Sequence, residues 1–233
     1  MASARFGIDY EVIVKGNNLK LREGFLALAN VTLIRTPDGP WLFDCGHFSN
    51  RIGVIKGLQR AGLTPADIKV VFLSHLHFDH ANNIDLFPQA RVIVSRREFD
   101  YAAAPHPEDI LIPWLIQDQL RKHDLHFIEG DGELAPGIRH MAAPGHTPGL
   151  QVLILDTDSK GTVVLAGDAI KYVKEVMARR CDMAFDTAEN GTASIRRILD
   201  MADRIVPGHF PELRRDGDAW LWDEPAELPL LIR

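Results

Sequence analysis

His75-Leu76-His77-Phe78-Asp79-His80 places three imidazoles and a carboxylate within six residues, directly after the apolar run Val70-Val71-Phe72-Leu73. Imidazole nitrogens and carboxylate oxygens are donors for divalent transition metals, and a structural turn needs far fewer of them. In an extended chain, residues two apart point the same way, so His75 and His77 can reach one metal from a strand end. Asp79 and His80 are adjacent, and an extended chain would send them to opposite faces. The chain must therefore turn immediately after His77 for both to serve one site. Residues 81–87 fit a turn leading into a short helix before Pro88. Two neighbouring metal positions follow, one served by His75 and His77 and the other by Asp79 and His80. The bland alternative is a histidine-rich surface loop.

The missing donors stand on three later segments. His146 lies in Ala143-Pro144-Gly145-His146-Thr147-Pro148-Gly149, a tight loop punctuated by proline and glycine. Asp168 follows Val163-Val164-Leu165-Ala166-Gly167, and His209 follows Arg204-Ile205-Val206-Pro207-Gly208. Any one of these could be an ordinary loop residue. Four strand ends that each close on a metal-type donor are harder to assign to chance, because sheets fix the origins of loops whose tips are free to vary.

The HxHxDH block with His146, Asp168 and His209 resembles the metallo-β-lactamase superfamily over residues 31–211. The resemblance implies an α/β fold, a four-layer αβ/βα sandwich of two mixed β-sheets with helices on the outer faces and metals at one edge. It implies that His75, His77 and His146 hold one metal, that Asp79, His80 and His209 hold another, and that Asp168 bridges them. Two divalent ions are expected, zinc first, with manganese, iron or cobalt also suited to imidazole and carboxylate. The segment Phe43-Asp44-Cys45-Gly46 resembles an early strand end of the family, where Asp44 either orients a ligand histidine through its distal N–H or closes a loop. Two metals roughly 3.5–4 Å apart can share a water and lower its pKa. The resulting bridging hydroxide attacks an ester-type carbonyl, with Asp79 placed to pass a proton to the leaving oxygen.

Within the family, residues 74–81, Gly167-Asp168-Ala169, and Ser194 to Leu199 leading into Val206-Pro207-Gly208-His209 are most similar to lactonases, including those that open N-acyl homoserine lactones. Those enzymes carry a tyrosine three residues after the bridging aspartate, where it helps hold the lactone carbonyl. Here Lys171 occupies that place and the tyrosine is Tyr172, one residue on. A glyoxalase-II-like thioesterase, or another ester or amide hydrolase of the superfamily, would use the same metal ligands. A metal-binding sensor on the same fold is the non-enzymatic reading, against which the intact ligand set argues.

Composition sets outer bounds. The 233 residues suffice for a single domain spanning 1–233 with a substantial core. A net charge of −6 with no basic run argues against nucleic acid as a partner and leaves a small-molecule substrate. No apolar run approaches the roughly 20 residues of a membrane span, and residues 1–10 lack a secretory core, so a cytoplasmic protein with no membrane partner is expected. A homodimer is compatible with the sequence. The two cysteines, Cys45 and Cys181, form no disulfide framework, and Cys45 reads as a small buried thiol.

The elements that must position these side chains are legible in outline. Residues 31–35 and 41–44 flank the turn Thr36-Pro37-Asp38-Gly39-Pro40 as a hairpin. Residues 52–61 have helical character, residues 64–67 an N-cap and first turn, and residues 193–202 an amphipathic helix. Strands are expected at 70–73, 91–94, 138–142, 150–155 and 162–166. The stretch 96–125 contains Ile110-Leu111-Ile112-Pro113-Trp114-Leu115-Ile116, in which Pro113 argues against one continuous helix. It reads either as an apolar wall or lid over the metals, with Trp114 and Ile112 touching substrate along with Phe48, or as core packing or a dimer surface. Residues 17–30 could supply a facing wall or a subunit contact. His47, His106, His123, His126 and His140 fit no ligand position and read as surface or packing histidines.

Overall fold

The computed structural model describes residues 6–227. In chain order the first strands are β1 (Asp9–Val14), β2 (Lys20–Leu21), β3 (Gly24–Phe25), β4 (Val31–Thr36), β5 (Gly39–Phe43), β6 (Val70–Phe72), β7 (Arg91–Ser95) and β8 (Asp124–Ile128). The later strands are β9 (Gly132–Ala135), β10 (Ile138–Ala142), β11 (Gln151–Thr157), β12 (Gly161–Gly167), β13 (Arg204–Pro207), β14 (Leu213–Asp216) and β15 (Ala219–Leu221). The α-helices are α1 (Arg51–Arg60), α2 (Phe78–Ala81), α3 (Arg96–Tyr101), α4 (Ile116–Leu120), α5 (Val173–Ala178) and α6 (Ala188–Met201).

Two sheets face each other. One runs β1-β4-β5-β6-β7-β8 and the other β15-β14-β13-β12-β11-β10-β9. Both are mixed: the pairs β5–β6, β6–β7, β7–β8 and β12–β13 are parallel, while the remaining pairs are antiparallel. Apolar residues on both faces of the central strands explain the layering. In β7, Ile93 enters the core between the sheets while Val92 and Val94 enter the core under the helices of the first sheet. In β11, Leu153 and Leu155 face the inter-sheet core and Val152 and Ile154 face the core beneath α6. Three cores separating four layers make the expected αβ/βα sandwich. Burying a Val, Leu or Ile side chain contributes about 1.5–3 kcal/mol, so a strand buried on both faces is held firmly where its ligand loop leaves it.

Local differences from the sequence reading have local causes. Helix α6 starts at Ala188, five residues ahead of the apolar periodicity, because Thr187 caps it by accepting the Asn190 N–H at 3.1 Å. The stretch 96–125 divides into α3 and α4 with an irregular segment between them, and Leu115 takes a left-handed φ of 62° just after Pro113. Strands β1, β8, β9, β14 and β15 were not anticipated. β1 and β8 lie at the edges of their sheet, and β9, β14 and β15 lie at or near the edges of the other, where one-sided burial leaves a weak hydrophobic pattern. Among the described residues no helix is long and apolar enough to cross a membrane.

Candidate metal centre

The ligand loops leave the two sheets at one end and converge. β6 ends at Phe72, and His77 is still extended with φ −66° and ψ 153° before α2 begins at Phe78. That is the turn the adjacent Asp79 and His80 require. His146 is carried by the loop between β10 and β11, Asp168 follows β12, and His209 follows β13. Glycine is needed where these loops meet. A Cβ at Gly208 would lie 2.1 Å from Asp168 Oδ1, and one at Gly145 would lie 2.1 Å from the Cα of Gly191.

All seven predicted ligands come together and all are buried. Donor atoms of His75, His77 and His146 form one group, those of Asp79, His80 and His209 another, and those of His75, His80 and Asp168 a third, each within 4.8 Å. Asp168 stands between the halves. Its Oδ2 lies 3.2 Å from His146 Nε2, and its Oδ1 lies 3.3 Å from His80 Nε2 and 3.2 Å from His209 Nε2. Asp79 Oδ2 lies 3.4 Å from His209 Nε2 and 3.8 Å from His80 Nε2.

The outward nitrogen of each ring explains what the inward one can do. His80 Nδ1 donates to Asp44 Oδ2 at 2.7 Å, so Asp44 orients a ligand histidine as one reading of the sequence expected. Asp44 also accepts the Ser74 N–H and hydroxyl, and His75 Nδ1 donates to that hydroxyl oxygen at 3.0 Å. His146 Nδ1 donates to the Met183 carbonyl, and His209 Nδ1 to the carbonyls of Asn17 and Leu28. His77 Nε2 donates to Asp109 Oδ2 at 3.1 Å. Every outward partner is an acceptor, so a neutral ring carries its lone pair inward. His77 Nδ1 and His146 Nε2 then oppose two lone pairs at 3.0 Å. Among the described residues, His75 Nε2, His80 Nε2 and Asp168 Oδ1 are buried without a well-aligned hydrogen bond. Unpaired buried polar atoms are costly, and inserted cations would satisfy all of them. The residues fit divalent metal ions.

The electrostatics agree. Burial lowers the imidazoles of His75 and His146 well below the ordinary histidine range, aided by neighbouring histidines. Burial acts the same way on His80 and His209, but carboxylates outweigh it and raise both, those of Asp79, Asp44 and Asp168 at His80 and those of Asp168 and Asp79 at His209. Burial would raise Asp168, yet the surrounding histidines hold it well below the carboxylate range. The cluster calls for positive charge, as protons or as cations.

Outside the ligands, Glu98 on α3 is fully buried and ties two ligand loops together. Its Oε1 accepts the Leu76 N–H at 3.1 Å, and its Oε2 accepts the Thr147 hydroxyl at 2.7 Å and the Gly149 N–H at 3.1 Å. The sequence reading missed Glu98 and Asp109. For Glu98 the available signal was an acidic residue shortly after a strand, which is common at helix starts, and Asp109 stands in an irregular segment with no local signal.

A cavity of about 270 Å³ opens beside the cluster, with His77, Asp79, His146, Asp168 and His209 in its wall. Lys20 and Phe25 line it from the 17–30 segment, which supplies the facing wall, and Phe78, Leu111 and Met183 add apolar surface. Tyr172 is in the wall as well, its hydroxyl donating to Asp182. Lys171 is buried there, 3.0 Å from Glu175 Oε1. Three expected substrate contacts fall elsewhere. Trp114 is 92 % exposed and, with Ile112, lines a separate depression beside α4. Of the apolar run, Leu111 lines the cavity. Phe48 is 63 % exposed and packs against His47 with the rings tilted, and His47 in turn contacts Phe78 edge-on. Of the five histidines outside the ligand set, His140 and His123 make internal hydrogen bonds and His47 caps the turn at residues 48–50. Both cysteines are free, Cys45 fully buried and Cys181 partly so.

A family model described as the metallo-beta-lactamase superfamily matches residues 25–224. The chain belongs to the metallo-beta-lactamase superfamily. An N-acyl homoserine lactonase of a Bacillus species is 33% identical to this superfamily member over 210 residues, covering 78% of this chain and 81% of its own. Metallo-beta-lactamase domain-containing protein 1 of Xenopus laevis is 32% identical over 193 residues, covering 82% of this chain and 74% of its own. The crystal structure of a quorum-quenching N-acyl homoserine lactone lactonase superposes with a TM-score of 0.68 at 26% identity, over 90% of this chain and 94% of the other. These likenesses put the superfamily member in the lactonase-like branch, and with the donor set they make it a metal-dependent hydrolase.

Proposed function

We propose that this hydrolase opens a lactone, a cyclic ester of the N-acyl homoserine lactone type, using two divalent metal ions held by the seven ligands. We take residues 1–233 as one domain and zinc as the resident metal, since five imidazoles and two carboxylates suit it well. The observation that carries the reading is the set of inward lone pairs at His75, His77, His80, His146 and Asp168, each fixed by an outward hydrogen bond or by burial. His75, His77 and His146 would hold one ion, Asp79, His80 and His209 the other, and the two oxygens of Asp168 would face one each.

When bound, such ions lower the pKa of a water and polarise a carbonyl, worth several kcal/mol of barrier. The chain's own groups do the rest. Asp79, in the cavity wall and facing His209, can take the proton that the attacking water releases as its oxygen bonds the carbonyl carbon, and deliver it to the ring oxygen as the C–O bond breaks. The products are then a carboxylate and an alcohol within one molecule. Phe25, Phe78, Leu111 and Met183 exclude water and give an acyl chain an apolar surface. A larger trench of about 810 Å³ adjoins through Asn18, Tyr172 and His209, with room for a long tail.

Tyr172 supplies a neutral phenol. Burial and the neighbouring Asp182 carboxylate raise its pKa, so it keeps its proton and acts as a hydrogen-bond donor rather than as a base. Holding a lactone carbonyl requires that proton to turn from Asp182 to the substrate, so Tyr172→Phe is expected to raise KM by several-fold at most, about 1 kcal/mol for one hydrogen bond, with kcat nearly kept. Steady-state kinetics would check this. The test of the function is a hydrolysis panel of lactones, thioesters and lactams, run on metal-loaded and chelator-treated protein. Metal-dependent turnover of lactones above all others is expected. Preference for a thioester would replace this reading with a glyoxalase-II-like one. Metal uptake without any turnover would favour a sensor.

A further inference from the structure

His77 differs from the other four ligand histidines in the way it is held. His75, His80, His146 and His209 turn Nε2 inward, and their Nδ1 atoms meet a neighbouring hydroxyl, a carboxylate or main-chain carbonyls. His77 turns Nδ1 inward, 3.0 Å from His146 Nε2, and leaves Nε2 pointing out towards the chain after α3. There Asp109 meets it at 3.1 Å, with a side chain as deeply buried as that of His77.

The loop is wrapped around that carboxylate. Asp109 Oδ2 also accepts the Tyr101 hydroxyl at 2.7 Å, and Oδ1 accepts the Leu111 N–H at 3.0 Å. The Tyr101 oxygen accepts the His106 N–H at 3.2 Å, and the Asp109 N–H donates to the His106 carbonyl at 2.8 Å. All these contacts are local in sequence except the one to His77. An ionised carboxylate only accepts, so His77 must carry its proton on Nε2 and its lone pair on Nδ1. The Phe78 N–H, next in the chain to His77, donates to the Leu111 carbonyl at 2.9 Å, and Leu111 itself lines the cavity.

We propose that Asp109, fixed in place by Tyr101, is a positioning residue that sets the tautomer and ring angle of His77 and so controls metal occupancy in the His75, His77 and His146 half of the centre. The proposal rests on the metal-centre reading above and deepens it. The histidines of the other half receive the same service from Asp44 and from the carbonyls of Asn17 and Leu28, not from Asp109. Because Leu111 serves both Asp109 and the cavity wall, the loop also joins substrate contact to ligand geometry.

The test uses the full chain stripped of metal and reloaded with zinc or cobalt. Metal content, competition with a chromophoric chelator, the cobalt absorption spectrum and thermal unfolding of the metal-free form are compared for wild type, Asp109→Ala, Asp109→Asn, Tyr101→Phe and the double variant Asp109→Ala with Tyr101→Phe. Loss of an outer hydrogen-bond partner weakens metal affinity by about 10–100-fold. Asp109→Ala is expected to shift one of the chelator transitions by that amount and leave the other in place, with a changed cobalt spectrum. Tyr101→Phe is expected to shift the same transition by less, and to add nothing once Asp109 is gone. Asp109→Asn, which keeps the shape and removes the charge, is expected to fall between them, and it carries the test with Tyr101→Phe should Asp109→Ala fail to fold. Wild-type chelator midpoints in these variants would overturn the proposal, and so would equal weakening of both transitions. A wild-type chain that takes up no metal would overturn the metal centre and the proposal with it. None of these readouts depends on whether the substrate is a lactone.

Discussion

At the scale of single residues, function lies in which nitrogen of each histidine faces inward, and that is decided by a hydrogen bond on the far side of the ring. Asp168 is the residue on which both halves converge, with one oxygen towards His146 and the other towards His80 and His209. Asp168→Ala is expected to lower kcat/KM by about 10³-fold or more, the equivalent of several kcal/mol of lost metal-ion catalysis. Steady-state kinetics with metal analysis would show it, and full activity would refute the bridging assignment. Trp114 illustrates the opposite case. A tryptophan in an apolar run reads as a substrate contact or as a packing or dimer surface, and at 92 % exposure it lines a depression separate from the cavity. Trp114→Ala is therefore expected to leave KM unchanged across acyl-chain lengths and stability within about 0.5 kcal/mol, as judged by kinetics and thermal unfolding. The seven candidate ligands were legible because their donor chemistry is rare at strand ends. Asp109 and Glu98 were not, because an acidic residue reveals its role only when the distant group it bonds is known.

At the scale of elements, the centre is assembled by short ties between loops that the sheets bring close. α3 is the clearest example. Ser95 accepts the Glu98 N–H at 2.9 Å and starts the helix, and this fixes Glu98 where it accepts from the loops carrying His77 and His146. Burial raises the Glu98 carboxyl, against the opposing effect of those hydrogen bonds. Its removal leaves the Leu76 N–H, the Gly149 N–H and the Thr147 hydroxyl without an acceptor, at about 1–3 kcal/mol for each unsatisfied group. Glu98→Ala is expected to cost about 3 kcal/mol or more of stability and to loosen metal binding although Glu98 touches no ligand side chain. Denaturant unfolding and chelator competition would measure the two effects, and a variant as stable as wild type would refute the tie. Central strands were readable because both their faces are apolar. Edge strands and the division of residues 96–125 were not, since their patterns are set by whatever packs on one side.

At the scale of the whole molecule, two layered sheets deliver charge to one buried place, and that placement makes stability depend on pH and metal. His80 and His209 are raised above their unfolded values by the carboxylates around them. Their contribution to the metal-free protein is fully present below the unfolded histidine value and is lost as pH rises through the raised one. Asp168, lowered by its histidines, contributes above the unfolded aspartate value and loses that contribution only as pH falls through its own low value. The metal-free protein is therefore expected to lose thermal stability between about pH 6 and about pH 9, by about 2–4 °C for each kcal/mol lost. The metal-loaded protein is expected to hold its Tm, because cations replace the protons. Thermal unfolding with and without chelator at both pH values would check this, and parallel curves would refute it. The sequence by itself determined which residues bring the candidate metal donors, the turn after His77 and the layered α/β architecture, because donor type, spacing and apolar periodicity are local properties of a chain. Only the tertiary structure decided which nitrogen each ring offers, that Asp109 and Glu98 belong to the centre, and that Trp114 does not, because each of these depends on a contact between segments that chain order leaves far apart.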